Sequence, residues 1–388
     1  YFTRLTRKNA ENNQNVLTIS AQYGLISQED FFNKSVASED KSNYFLLLKG
    51  DFAYNKSYSN GYPYGAIKRL EYYEKGIVSP LYICMEPQNS FVADYFVQYF
   101  EGGLLNGEIH AFAQEGARNH GLLNIAVDDF FNTNVVVPCE VEQQRIAEIL
   151  ATQDKVIELK EKLLKEKQRQ KKYLMQQLLT GKKRLPGFSG EWKTLKLNKV
   201  LEERNEKNTQ QNLEICSVAV KKGVVNQIEH LGRSFAAADT SNYNVVRYGD
   251  IVYTKSPTGE FPFGIIKQSQ LDKAAVSPLY GVFKPITYAL GYILHCYFEV
   301  PINTNNYLNP IIQKGAKNTI NISNSTFLSN KLLLPLDIKE QTAIAQILST
   351  ADKEIELLKK DIEQEKLKKK SLMQLLLTGI VRVNEVAI

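Results

Sequence analysis

Lys56-Ser57-Tyr58-Ser59-Asn60-Gly61-Tyr62 gathers a cation, hydroxyls, an amide and aromatic rings within one short stretch. Cations and hydroxyls suit phosphate oxygens, and an asparagine amide can pair with the edge of adenine through two hydrogen bonds. That is the chemistry of holding and reading a nucleic acid, not of breaking a bond. A second stretch, Lys255-Ser256-Pro257-Thr258-Gly259-Glu260-Phe261, opens on the same Lys-Ser and then differs almost completely. Lys56 and Lys255, present in both, suit a phosphate contact that ignores sequence. The residues after Ser57 and Ser256 suit readers of two unlike base sequences, with Tyr58, Asn60 and Tyr62 the candidates in one and Thr258 in the other. Arg118-Asn119-His120 and Lys317-Asn318-Thr319 form a further pair of DNA-contact candidates, after Gly116 and Gly315. Arg4, Arg7, Lys8 and Arg204 form a third group.

The elements that carry these stretches are themselves duplicated. Gly50-Asp51-Phe52-Ala53-Tyr54-Asn55 leads into the first stretch and Gly249-Asp250-Ile251-Val252-Tyr253-Thr254 into the second. Pro63-Tyr64-Gly65 and Pro262-Phe263-Gly264 follow, then Val78-Ser79-Pro80-Leu81-Tyr82 and Val276-Ser277-Pro278-Leu279-Tyr280. Val135-Val136-Val137-Pro138 and Leu332-Leu333-Leu334-Pro335 close each copy. A repeat of this length dictates architecture. In the first copy the β-like runs are residues 16–21, 51–55, 76–79, 81–85 and 134–137, with an apolar helix over 91–100; residues 287–298 form the matching helix of the second. Each copy is therefore expected to be a mixed α/β domain. Matching Arg7 to Arg204 sets Tyr1 opposite Asn198, so the first copy is expected to lack its opening segment.

After each domain comes a long helix pattern. Residues 143–179 contain no Gly or Pro and are dominated by Lys, Glu, Gln and Leu, good helix formers. Leu150, Ile157, Leu164, Lys171 and Leu178 recur every seven residues, with Ile149, Val156 and Leu163 widening the stripe. A shift of 198 positions sets Leu348, Ile355, Ile362, Lys369 and Leu376 in the same places, and Ile344, Ala351, Leu358, Glu365 and Leu372 form the other half of a heptad seam. Seven-residue spacing this long argues for a coiled coil. Two like segments meeting through like faces imply a pseudo-two-fold axis and an antiparallel pair within the chain. Its length, about 55 Å, equals about 16 base pairs. Gly181 and Gly379 are expected to end the helices. The expected divisions are residues 1–142, 143–181, 182–339 and 340–379, with 380–388 as a tail.

Composition sets the limits. The chain of 388 residues is 43% hydrophobic and 23% charged, ordinary globular values with room for two or three cores. No apolar run reaches 18 residues, which excludes a transmembrane helix. Cys84, Cys139, Cys216 and Cys296 show no Cys-x-x-Cys pair. Buried reduced thiols in a cytoplasmic protein are therefore expected, with no zinc site. Net charge is +6, and residues 143–184 alone carry +7. Bulk charge thus announces no nucleic-acid domain, and the case for DNA rests on local features.

Two α/β domains, each followed by a long helix ending Leu-Met-Gln-x-Leu-Leu-Thr-Gly, resemble the specificity subunit of a type I restriction-modification system. Phe188-Ser189-Gly190-Glu191-Trp192, the Gly-Asp-x-x-Tyr core and the Glu142-Gln143 and Glu340-Gln341 helix starts belong to the same pattern. The resemblance spans essentially the whole chain. It implies two target-recognition domains, each reading half of a split double-stranded DNA site with a non-specific spacer, held apart by the coiled coil. DNA-methyltransferase (modification) subunits would dock on the helices, and restriction/translocase subunits would complete the complex. S-adenosylmethionine, ATP and Mg would belong to those partners, with no cofactor in this chain.

The chain's own motifs agree with a non-catalytic role. An adenine methyltransferase would need an Asn-Pro-Pro-aromatic loop, and Asn309-Pro310-Ile311 lacks it. A nucleotide-driven motor would need a phosphate-cradling Gly-x-x-x-x-Gly-Lys-Ser/Thr, and Gly181-Lys182-Lys183 has neither the earlier glycine nor the hydroxyl. His110, His120, His230 and His295 are isolated. The competing expectation is an adaptor whose coiled coil scaffolds proteins without reading DNA, but unlike loop tips in the two copies are of no use to an adaptor.

Overall fold

A computed structural model of the chain describes residues 1–20, 23–32, 40–115, 123–314 and 320–383. The chain divides into two compact units, residues 1–161 with 360–388 and residues 162–359. Each unit therefore takes one globular domain and a part of both long helices.

In the second unit, one sheet runs in the order Leu201–Glu203, Gly281–Pro285, Ile251–Tyr253, Ile266–Gln268, all antiparallel. A second sheet runs Gly223–Asn226, Ile215–Ala219, Lys273–Val276, Asn244–Arg247. Within it Ile215–Ala219 and Lys273–Val276 are parallel, with Ile215 opposite Ala275. Alternation along a strand sends successive side chains to opposite faces. Ile251 and Tyr253 accordingly enter one core with Phe283, Leu294 and Phe327, while Val252 enters the other with Val246 and Val276. The helix Tyr288–Phe298 is capped by Thr287, whose hydroxyl accepts the Leu290 N–H at 3.0 Å.

The first unit repeats this frame. Phe2–Arg4, Ile83–Pro87, Phe52–Asn55 and Ala66–Arg69 form the first sheet. Leu17–Ser20 pairs with Gly24–Ser27, and Phe45–Leu48 with Lys75–Val78. Among the described residues, the parallel bridge Val16 to Ile77 links those two ladders. Phe52 and Tyr54 face a core with Tyr95, Phe96 and Phe130, and Ala53 faces another with Leu17, Leu47 and Leu70. Ser90–Glu101 is the matching helix, capped by Asn89.

Two expectations are corrected here. Residues 134–137 form no strand, and Val136 is 91% exposed. Their counterpart in the second unit, Lys331–Leu334, is a strand paired with Lys193–Lys196. The alignment of the opening also shifts. The Gln88 N–H donates to the Tyr1 carbonyl as Ile286 does to Val200, so Tyr1 stands opposite Val200, not Asn198.

The long helices span Glu140–Leu178 and Ile338–Leu377, beginning two or three residues earlier than the pattern placed them. Gly181 and Gly379 follow them with φ of 67° and 73°, a left-handed conformation that suits glycine. In both units the helices run antiparallel. In the first, Asp154 meets Lys369 at 2.6 Å and Lys160 meets Asp361 at 2.8 Å. In the second, Lys167 meets Glu354 at 2.7 Å and Lys171 meets Asp352 at 2.6 Å. Arg382 on Glu142 and Arg184 on Glu340 repeat the same exchange at the helix starts.

The seam is narrower and more polar than the heptads suggested. Leu150, Leu348, Ile355 and Ile362 are buried, but Ile149 and Leu163 face solvent. The buried helix ends belong to the domains as much as to each other. Ile146, Ala147, Leu150, Met373 and Leu376 join the core of the first domain helix, and Met175, Leu178, Ile344 and Leu348 that of the second. Of the cysteines, Cys84, Cys216 and Cys296 are buried, whereas Cys139 is exposed. Among the described residues, no helix is long and apolar enough to cross a membrane.

Candidate nucleic-acid interface

Each domain presents a β-hairpin whose base is fixed and whose tip differs. In the first unit the strands Phe52–Asn55 and Ala66–Arg69 enclose residues 56–65. Ser59 and Tyr62 exchange backbone hydrogen bonds of 3.2 and 2.8 Å across the Asn60-Gly61 turn. In the second, Thr258 and Phe261 do the same at 3.0 and 2.9 Å across Gly259-Glu260. The glycine needing a left-handed φ is thus second in one turn and first in the other, which presents different side chains on equivalent frames.

The shared motif residues build the base. The Tyr54 hydroxyl donates to the Tyr64 carbonyl at 2.5 Å, and the Tyr253 hydroxyl to the Phe263 carbonyl at 2.7 Å. That bond explains the fixed interval between Gly-Asp-x-x-Tyr and Pro-aromatic-Gly. Burial pushes both tyrosine hydroxyls well above their ordinary titration range, so they remain donors. Gly65 and Gly264 have φ of 81° and 98°. A Cβ at Gly264 would lie 2.8 Å from the Lys255 backbone nitrogen, so the hairpin can close only on glycine. The motif aspartates brace the preceding turn. Asp51 accepts the Leu48 N–H and Asp250 the Arg247 N–H, each at 2.8 Å.

Lys56 and Lys255 stand where each hairpin leaves the sheet. Both are half-buried, and burial lowers their ammonium pKa values from the ordinary range. Lys255 has a left-handed φ of 59°, uncommon for a residue with a Cβ. Ser57 and Ser256 follow, partly or fully exposed, and Tyr58, Asn60 and Thr258 are exposed. The Lys56 carbonyl accepts the Leu123 N–H at 3.0 Å, which sets the pair Gln114–Glu115 and Leu123–Asn124 beside the first hairpin. Arg118, Asn119, His120, Lys317 and Asn318 lie outside the described residues.

Four candidates have partners within their own domain. The Arg204 guanidinium grips Asp250 at 2.6 and 2.9 Å, and Arg7 reaches Asp51 at 3.2 Å from a position two residues further along the register. These ion pairs engage both arginines within their domains. Tyr62 is held by Glu101 and Lys68, with the Lys68 ammonium 4.8 Å from the ring centre. Lys8 donates to the Asn43 carbonyl at 2.8 Å and lies over the Phe45 ring. Sequence reading missed these assignments because all of these partners except Lys68 are tens of residues away.

No protein-family model matches the chain. The specificity subunit of the type I restriction enzyme MjaVIII from Methanocaldococcus jannaschii is 26% identical over 338 residues, 80% of this chain and 75% of that protein. The type I restriction-modification S subunit from M. genitalium superposes with a TM-score of 0.54 at 12% identity, over 97% of this chain and 93% of the other. A chain from a structural study of assembly and conformational transition in the type I system gives 0.52 at 14%, with 98% of each covered. This chain resembles type I specificity subunits in sequence and shares their fold. On that fold, the paired hairpins set unlike tips on equivalent frames in the two halves of this chain.

Proposed function

We propose that the chain is a non-catalytic cytoplasmic subunit that reads double-stranded DNA at a two-part target with a non-specific spacer and directs adenine-methyltransferase and restriction subunits to it. The supporting observation is the pair of hairpins with identical bases and unlike tips. Lys56 and Lys255, beside Ser57 and Ser256, serve phosphates. Tyr58 and Asn60 in one domain and Thr258 in the other serve base edges, and the segments with Arg118, Asn119, His120, Lys317 and Asn318 extend each contact. The exposed Leu159 and Leu357, equivalent by the repeat, offer the partner subunits two like footholds on the helices.

The test combines the chain with modification subunits and S-adenosylmethionine on a pool of random duplexes. Adenine methylation confined to a bipartite consensus is the expected result; methylation scattered without one would sink the reading. Replacing residues 1–137 with the matching region of another specificity subunit should then alter one half of the consensus and leave the other.

A further inference from the structure

Leu81 and Leu279 are 65% and 74% exposed, and they are equivalent residues of the two domains. Isolated exposed leucines are ordinary on a protein surface. The same leucine, held in the same turn in both halves of a diverged repeat, is not accounted for by packing. The turn is built to keep it outward. Pro80 or Pro278 fixes the preceding backbone, and the Tyr82 and Tyr280 N–H groups donate to the Ser79 and Ser277 carbonyls at 3.0 Å. The Ser79 and Ser277 hydroxyls accept the Leu81 and Leu279 N–H groups, each at 3.3 Å. In the second domain Asn244 also donates to the Tyr280 carbonyl at 2.9 Å. A side chain on so rigid a turn loses little freedom on binding.

Its location points to the ligand. Tyr54 pairs with Ile83 and Tyr253 with Gly281, so each turn ends at the sheet edge where the hairpin with Lys56 or Lys255 begins. In both domains an exposed leucine and a cation therefore stand at one sheet end, beside tips that differ. We propose that Leu81 and Leu279 make an apolar, sequence-independent contact with the deoxyribose face of duplex DNA, next to the phosphate held by Lys56 or Lys255. This rests on the DNA-reading function proposed above. Proteins that bind the minor groove use apolar side chains, Leu among them, against DNA as wedges between base steps, so an apolar contact needs no hydrogen bond to a base.

The test uses the complex with modification subunits, wild type and L81A/L279A, on the random duplex pool and then on a duplex carrying the wild-type consensus. The double variant is expected to keep the same bipartite consensus and the same salt dependence, because no charge is removed. Its affinity for the consensus duplex should fall about tenfold, roughly threefold for each single variant. Affinity within twofold of wild type would overturn the inference while leaving the DNA-reading function standing. Loss of the modification subunits from the variant complex would also overturn it, by assigning the leucines to a protein contact. If the wild type itself selects no consensus, the underlying function fails, and that outcome is separable because it does not involve the variants.

Discussion

The two domains agree in how their hairpins are held and differ in what surrounds the domain helix. Behind the first hairpin, Lys68 pairs with Glu101, while Asp154 and Lys369 pair across the long helices. Behind the second, the equivalent Lys267, Glu299, Asp352 and Lys171 merge into one network, with Lys171 reaching both Glu299 and Asp352. His295 is buried beside it, where the first domain has Val97. Burial alone would disfavour the Glu299 carboxylate, but Lys267 and Lys171 outweigh it and hold the carboxyl down at about 2. Burial and then Lys267 hold the His295 pKa down at about 4. One fold thus tolerates either two separate ion pairs or one partly buried network behind the same hairpin frame. In the first domain the Lys68–Glu101 pair also holds the hairpin residue Tyr62, whereas both hairpins keep the Tyr54 or Tyr253 clamp.

The clamps are the shared part, so breaking them should have the largest effect. Gly264→Ala and Gly65→Ala force a Cβ into backbone at a left-handed φ and should each cost about 3 kcal/mol or more in urea unfolding. Gly61→Ala has the same backbone problem but open space around it. It should cost only about 1–2 kcal/mol. Equal effects at tip and base would show that the clamp does not organise the hairpin.

His295 sharpens the difference between the domains. Its folded pKa lies below the ordinary 6.5, so the unfolded chain takes up a proton first as pH falls. The stability it protects is complete above about pH 6.5 and is lost progressively towards pH 4, at most about 3 kcal/mol. Replacing it with the first domain's residue, His295→Val, should flatten that pH dependence in thermal unfolding of the second unit. An unchanged slope between pH 6.5 and 4 would place the titration elsewhere.

The helix lysines give the smallest contrast. Both lysines lie in the seam, where Lys171 neutralises Glu299 and Asp352 and Lys369 neutralises Asp154. Lys171→Leu leaves Glu299 and Asp352 without their shared cation and should cost about 2 kcal/mol. Lys369→Leu strands only Asp154, itself partly solvated, and should cost under about 1 kcal/mol. Chemical denaturation of the two single variants compares them directly, and a larger loss at Lys369 would invert the assignment.

Features with a local period were legible in the residues. The two helices, the glycines that end them and the hairpin intervals follow from spacing within a few tens of residues, and the duplication from a constant shift of about 198. Strand alternation likewise split Phe52-Ala53-Tyr54 and Ile251-Val252-Tyr253 between two cores. The run at 134–137 has the composition of its twin at 331–334, and it is the twin that is bonded into a ladder, by Lys193–Lys196. Among the charged and aromatic candidates, exposure could not be read from type. Arg7, Arg204 and Tyr62 have the composition of DNA contacts and the geometry of braces.

By itself, then, the sequence determined a duplicated unit, its helices and a pair of turns with common stems and unlike tips. These depend on neighbours along the chain, whose distances the covalent backbone already limits. Only the tertiary structure decided which polar residues are spent inward, as Arg204 is on Asp250 and Lys171 on Glu299 and Asp352, 46 to 181 residues away. Burial raises the cost of an unpaired charge, and a partner that distant is chosen by packing, not by spacing.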